Sequence, residues 1–100
     1  MDKQQIIEIS RLLANSTRLE ILEWLKAPEE NFPPQEAING FEDGVCVTYI
    51  QRKAGLSQST ISTYLSNMNK SGLLTLTRHG KWSYFKRNEA TLKDYTTFFL

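Results

Sequence analysis

The chain has 100 residues, 40% of them apolar, one Cys and a formal net charge of +1, enough for one small domain with a modest core. No stretch approaches the roughly 20 apolar residues of a membrane span. The opening MDKQQIIEIS is acidic and amphipathic rather than basic and then apolar, and a single Cys forms no internal disulfide. These features exclude a disulfide scaffold and are those expected of a cytoplasmic protein rather than a secreted or membrane one.

The pattern reads as helices first and a short hairpin late. Residues 3–14 place Ile6, Ile9 and Leu13 at helical spacing, with Ile7 and Leu12 widening the stripe. Thr17 followed by Glu20 has the form of a capping box for a helix from Arg18 to Lys26. Leu19, Ile21, Leu22, Trp24 and Leu25 make that helix apolar nearly all round, so it is expected at the centre of the domain. Pro28 ends it. The stretch PEENFPPQEAINGFEDG, residues 28–44, is longer than usual helix–helix connections. Pro33-Pro34 could start a single turn through Ala37, with Phe32, Ile38 and Phe41 pinning it. This segment is either a surface insertion or a contact for a partner or effector.

Residues 46–54 resume helical spacing with Val47, Ile50 and Ala54, and Gly55 serves as the C-cap. Ser57 is a suitable N-cap for a helix from Gln58 to Lys70, with Ile61, Leu65 and Met68 as its core stripe. Gly72 closes that helix. LLTLTR and KWSYFKR then alternate around His79-Gly80 as a β-hairpin. Leu74 and Leu76 share one face, as do Trp82 and Tyr84. Residues 89–100 form a last helix with Leu92, Tyr95, Phe98 and Phe99 apolar.

The 58–70 helix is unusual in carrying Ser59, Thr60, Ser62, Thr63, Ser66, Asn67 and Asn69 and no acid. All seven are mediocre helix formers. Charge is also divided along the chain: residues 1–50 hold 4 Lys/Arg against 9 Asp/Glu, and residues 51–100 hold 8 against 2. Between Gln51 and Asn88 there are seven positive charges and no acid, the pattern of a surface that approaches a polyanion. Two short helices joined by a Gly-containing turn form a helix-turn-helix, and a hairpin directly after them makes it winged. In that arrangement the second helix enters the DNA major groove N-terminal end first. Short Ser, Thr, Asn and Gln side chains let its backbone approach the groove floor without repelling phosphates, and Gln and Asn can pair with adenine edges. The wing carries Arg78, His79 and Lys81 at its tip, suited to phosphate or minor-groove contacts, and Lys86 and Arg87 at its base.

The segments LANSTRLEILEWL (13–25), GLSQSTISTYL (55–65), SGLL (71–74) and HGKWSYF (79–85) together resemble the ArsR-like, or arsenic-repressor, family of bacterial winged-helix regulators. They occur in the family's order and cover most of the chain outside residues 28–44. The resemblance implies one mainly α domain over residues 1–100, about five helices plus a two-stranded wing over 73–87. It implies a homodimer joined by the helices 3–14 and 89–100, with Ile6, Ile9, Leu13, Leu92, Tyr95, Phe98 and Phe99 at the interface. It also implies a repressor that binds an imperfect inverted repeat in double-stranded DNA and leaves it when an effector arrives. By position the groove contacts are Gln58, Ser59, Ser62 and Thr63, although family members often carry His where this chain has Thr63. With Lys53, Ser57, Asn67, Arg78, His79 and Lys81 they make up the expected DNA-facing set.

The family's best-known effectors are metals, and here the chain departs from the pattern. Thiophilic members carry Cys-x-Cys where this chain has Val45-Cys46-Val47, and one thiolate cannot complete a three- or four-ligand shell. The last helix offers only Glu89 and Asp94. No metal site and no cofactor is therefore expected, the effector is expected to be something other than a metal, and Cys46 reads as a small buried residue. Two rival classes fit less well. With one His, one Cys and no Gly-rich phosphate loop, no catalytic constellation can be assembled for an enzyme. A winged helix used only for protein–protein contact has no need of an acid-free basic stretch.

Overall fold

Six helices and three strands follow one another in the computed structural model, which describes residues Met1–Leu100. They are α1 (Lys3–Leu13), α2 (Ser16–Lys26), α3 (Pro28–Asn31), β1 (Val45–Cys46), α4 (Val47–Ala54), α5 (Gln58–Lys70), β2 (Leu74–His79), β3 (Trp82–Arg87) and α6 (Glu89–Thr97). The fold is the mainly α winged helix-turn-helix expected, with one more helix and one more strand. Both additions come from the chemistry of the connections. Pro28, with its φ preset and no N–H to lose, opens the four-residue α3. The turn expected from Pro33-Pro34 through Ala37 does not form.

Helix α2 is capped by Asn15 rather than Thr17: the Asn15 side chain accepts from the Arg18 amide at 2.9 Å. It is also less enclosed than its composition suggests. Ile21, Leu22 and Leu25 are buried, but Leu19 is 44% exposed. Trp24 is half-buried and meets the buried Phe32 edge-to-face at 6.4 Å. The core joins Ile9 of α1 and these α2 residues to Ile50 of α4, to Ile61, Leu65 and Met68 of α5, and to Leu73, Leu74 and Phe85 around the sheet.

The sheet order is β1-β3-β2, all antiparallel, so the wing is three-stranded rather than two. Val45 pairs with Phe85 and Cys46 with Tyr84. This pairing depends on Gly44, whose φ is +108° and where a Cβ would lie 2.3 Å from the Phe85 carbonyl oxygen. Only a residue without a Cβ lets β1 approach so closely. Both faces of β3 are covered: Phe85 joins the core beneath the helices, and Tyr84 is 1% exposed on the opposite face. Trp82, at the tip on the Tyr84 side, is 41% exposed.

The 28–44 segment is held by side chains bonding to backbone. Gln35 Nε2 donates to the Gly40 and Gly44 carbonyls at 3.0 Å each, and its Oε1 accepts from the Cys46 amide at 2.9 Å. The Tyr49 hydroxyl donates to the Pro34 carbonyl at 2.8 Å. These bonds satisfy backbone groups that no ladder serves.

The terminal helices meet within one protomer, where Ser10 Oγ and the Tyr95 hydroxyl lie 2.8 Å apart. Helix α6 stops at Thr97, and Phe98-Phe99-Leu100 continues as a turn rather than a helix to residue 100. Of the residues expected at a dimer interface, Ile9 is 0% exposed and Ile6 7% exposed within the single chain. Their side chains belong to this protomer's own core and not to an outer surface. Leu13, Leu92 and Tyr95 are half-buried against that core. Phe98 and Phe99 are 47% and 62% exposed.

Candidate nucleic-acid interface

Helix α5 is assembled for presentation of its N-terminal half. Gly55, in the left-handed conformation at φ +68°, ends α4 and turns the chain. Ser57 Oγ then accepts from the Thr60 amide at 3.2 Å and donates to Thr60 Oγ1 at 2.8 Å. Ile61, Leu65 and Met68 face inward and are buried to 1% exposure or less, which offsets the weak helix propensity of the polar residues. The remaining side chains fall in two parallel rows four residues apart. Gln58, Ser62 and Ser66 make one row, and Ser59, Thr63 and Asn67 the other. Within the first, Gln58 Nε2 donates to Ser62 Oγ at 2.9 Å, so the amide is oriented in the free protein.

No acidic residue lies in α4 or α5. The exposed amino end of α5 thus presents free backbone N–H groups and a positive helix-dipole end. Across from it stands the wing. Ser62, Ser66 and Lys70 of α5 line one cleft together with Arg78 and Ser83 of the sheet, so the row of Ser62 and Ser66 and a wing cation share a surface. Ser66 and Ser83 are not among the residues expected from sequence. Ser66 follows from the four-residue row, whereas Ser83 follows only from its pairing opposite Arg78.

Of the expected DNA-facing residues, Ser57, Gln58, Ser59, Thr63, Asn67, Arg78 and Lys81 are exposed and Ser62 is half-buried in the cleft. Two are placed differently. Lys53 is exposed, but its ammonium sits 5.3 Å from the Trp24 ring centroid, over the α2–α4 contact rather than among the α5 rows. His79 is exposed, but its Nε2 lies 2.7 Å from Asp43 Oδ2, so the ring is engaged by the 28–44 segment. The acid-free run in sequence is therefore not acid-free in space.

The base cations of the wing are tied into the fold. Lys86 Nζ donates to the Glu42 carbonyl at 3.1 Å, and Arg87 makes a two-pronged pair with Glu89 at 2.9 and 3.1 Å. Arg78 and Lys81 make no ion pair. The Lys81 ammonium lies 5.3 Å from the Trp82 ring centroid, a contact like that of Lys53, so Arg78 is the tip cation with neither an ion pair nor an aromatic partner.

No family model matches the chain. It is 43% identical over 86 residues to the uncharacterized HTH-type transcriptional regulator YbzH of Bacillus subtilis, covering 86% of each chain. It is 31% identical over 85 residues to a Halobacterium salinarum protein named ArsR2, for arsenical resistance operon repressor, covering 85% of this chain and 60% of that one. Among solved structures it resembles the homodimeric winged helix-turn-helix DNA-binding domain of Mb0332 from Mycobacterium bovis. The TM-score is 0.68 at 22% identity, over 95% of this chain and 75% of that one. The sequence relatives and the fold agree, and the chain belongs to the ArsR-like family of winged helix-turn-helix, DNA-binding transcriptional regulators.

Proposed function

We propose that the protein is a homodimeric repressor that lays α5 in the major groove and its wing, residues 73–87, on the backbone or minor groove. The observation that carries this reading is the acid-free polar face of α5, with Gln58, Ser59, Thr63 and Asn67 exposed and with Ser62 and Ser66 lining a cleft that also holds Arg78. Ser57, Gln58, Ser59, Ser62, Thr63 and Asn67 read or position on the groove. Arg78 and Lys81 supply phosphate contacts that depend on salt and not on sequence. Lys53 and His79, held by Trp24 and Asp43, contribute only if DNA draws them away.

Dimerisation is supported by the apolar turn after α6, where Phe98, Phe99 and Leu100 are all exposed. The Ser10–Tyr95 bond brings α1 and α6 together at one point, and we assign the interface to the exposed Phe98 and Phe99 with the half-buried Leu13, Leu92 and Tyr95. The homodimeric state of the Mb0332 domain agrees with that geometry. A symmetric dimer reads an imperfect inverted repeat.

An arsenical signal, of the kind ArsR2's name carries, calls for several thiolates, and this chain has Cys46 alone, buried beside β3. The release signal is thus read as something other than a metal. Gel-shift titration against the gene's own upstream DNA tests the proposal. Specific retardation at nanomolar protein is expected, and a folded protein that retards that DNA no better than random DNA refutes it.

A further inference from the structure

Away from the α5 rows, a cavity of about 130 Å³ lies between the 28–44 segment, the start of α4 and the outer face of the wing. Tyr49, Trp82 and Tyr84 supply aromatic walls, and the buried Cys46 joins them. Tyr84 is 1% exposed, and no group of the chain hydrogen-bonds its hydroxyl. Of the other polar groups lining it, the Gln35 amide is engaged by three backbone partners and the Tyr49 hydroxyl by Pro34, while the Glu36, Thr48 and Arg52 side chains make no hydrogen bond within the chain. The Tyr84 hydroxyl is not sealed from solvent, since the one side-chain oxygen buried without a partner is Thr75 Oγ1, and it is left free to pair with an occupant of the open cavity it lines. Burial, with smaller contributions from Cys46, Asp43 and Tyr49, pushes the Tyr84 pKa up, so the group remains a neutral donor.

Size and charge narrow the occupant. A dry cavity of about 150 Å³ accommodates benzene, so this one takes a single ring and little more. Aromatic walls favour an aromatic guest. Arg52 and Glu36, both exposed and in no ion pair, line the cavity with opposite signs and favour neither an anion nor a cation. We propose that this cavity binds an uncharged single-ring aromatic molecule of the phenol class, with its oxygen hydrogen-bonded to the Tyr84 hydroxyl. Because the walls come from α4 and from β3, an occupant ties the wing to the first helix of the motif. That consequence for DNA rests on the repressor reading; the binding itself does not.

The test uses phenol and the DNA-free protein, following the two indole N–H resonances by NMR and assigning them with Trp82→Phe. A saturable shift of the Trp82 resonance, with that of Trp24 unmoved, is expected. Tyr84→Phe should weaken binding about 3–10-fold, the loss of one neutral hydrogen bond. Cyclohexanol and benzoate should bind at least ~10-fold more weakly than phenol, lacking in turn the aromatic ring and the neutral charge. Phenol that fails to saturate below about 10 mM, equal shifts of both indoles, or undiminished binding to Tyr84→Phe overturns the proposal. Operator binding by the same samples is scored separately, so phenol binding without DNA binding upholds this site while refuting the repressor reading.

Discussion

Replacing Gln58 with Ala removes a side chain already oriented for recognition. Its Nε2 donates one hydrogen to Ser62 Oγ at 2.9 Å, leaving the second hydrogen and Oε1 free to meet the N7 and N6 of an adenine. Removing such a base pairing costs about 1–3 kcal/mol, or roughly 5–150-fold in affinity per half-site. Ser62→Ala keeps the amide but releases it to rotate, and ordering a long side chain on binding costs about 0.5–1.5 kcal/mol. Part of Ser62's effect therefore passes through Gln58. The double variant should lose less than the sum of the two single ones, with a coupling of about 0.5–1 kcal/mol. Gln58 is exposed and neither side chain belongs to the core cluster, so stability should change by no more than about 0.5 kcal/mol. Fluorescence anisotropy on operator and random DNA measures all four proteins. Strictly additive losses would refute the orienting role of Ser62, and equal losses on random DNA would refute base reading by Gln58.

Arg78→Ala with Lys81→Ala should weaken operator and random DNA alike and reduce the salt slope by about 0.9 for each phosphate no longer neutralised. His79→Ala should change that slope less than either, because its ring is held by Asp43 at 2.7 Å; salt titrations of the three variants compare them. Phe98→Ser with Phe99→Ser should leave a folded monomer at about 20 μM by sedimentation, with operator affinity falling at least ~10-fold as the two half-sites uncouple. Gly44→Ala should destabilise by about 2–4 kcal/mol, combining a strained positive φ with a Cβ 2.3 Å from the Phe85 carbonyl oxygen. Urea denaturation checks it, and a loss below about 1 kcal/mol would mean that β1 pairs with β3 less tightly than described.

The recognition helix and hairpin are legible in the sequence because their signals are local. Ile61, Leu65 and Met68 recur at helical spacing, Ser57 and Gly55 punctuate, and Gly80 marks the turn. Strand β1 is not legible. Two residues carry no periodicity, and Val45 pairs with Phe85, 40 positions away, by grace of a glycine that reads in sequence as loop. Charge counted along the chain puts His79 at the DNA-facing tip, and such a count cannot register that Asp43 returns to it in space. Ile9 is buried within its own protomer, and an apolar stripe on a terminal helix looks the same in sequence whether it faces its own core or a partner. The 28–44 segment, which in sequence fits insertion and contact equally, covers the outer face of the wing and lines the cavity beside Tyr84.

Hydroxyl-radical footprinting on the gene's upstream DNA, with wild-type protein and Gln58→Ala side by side, tests the central claim most directly. Two protected patches related by approximate two-fold symmetry and spaced about one helical turn, roughly 34 Å, are expected, with both weakened in the variant. A single unpaired patch, or protection that Gln58→Ala leaves unchanged, would contradict a dimer reading DNA through α5.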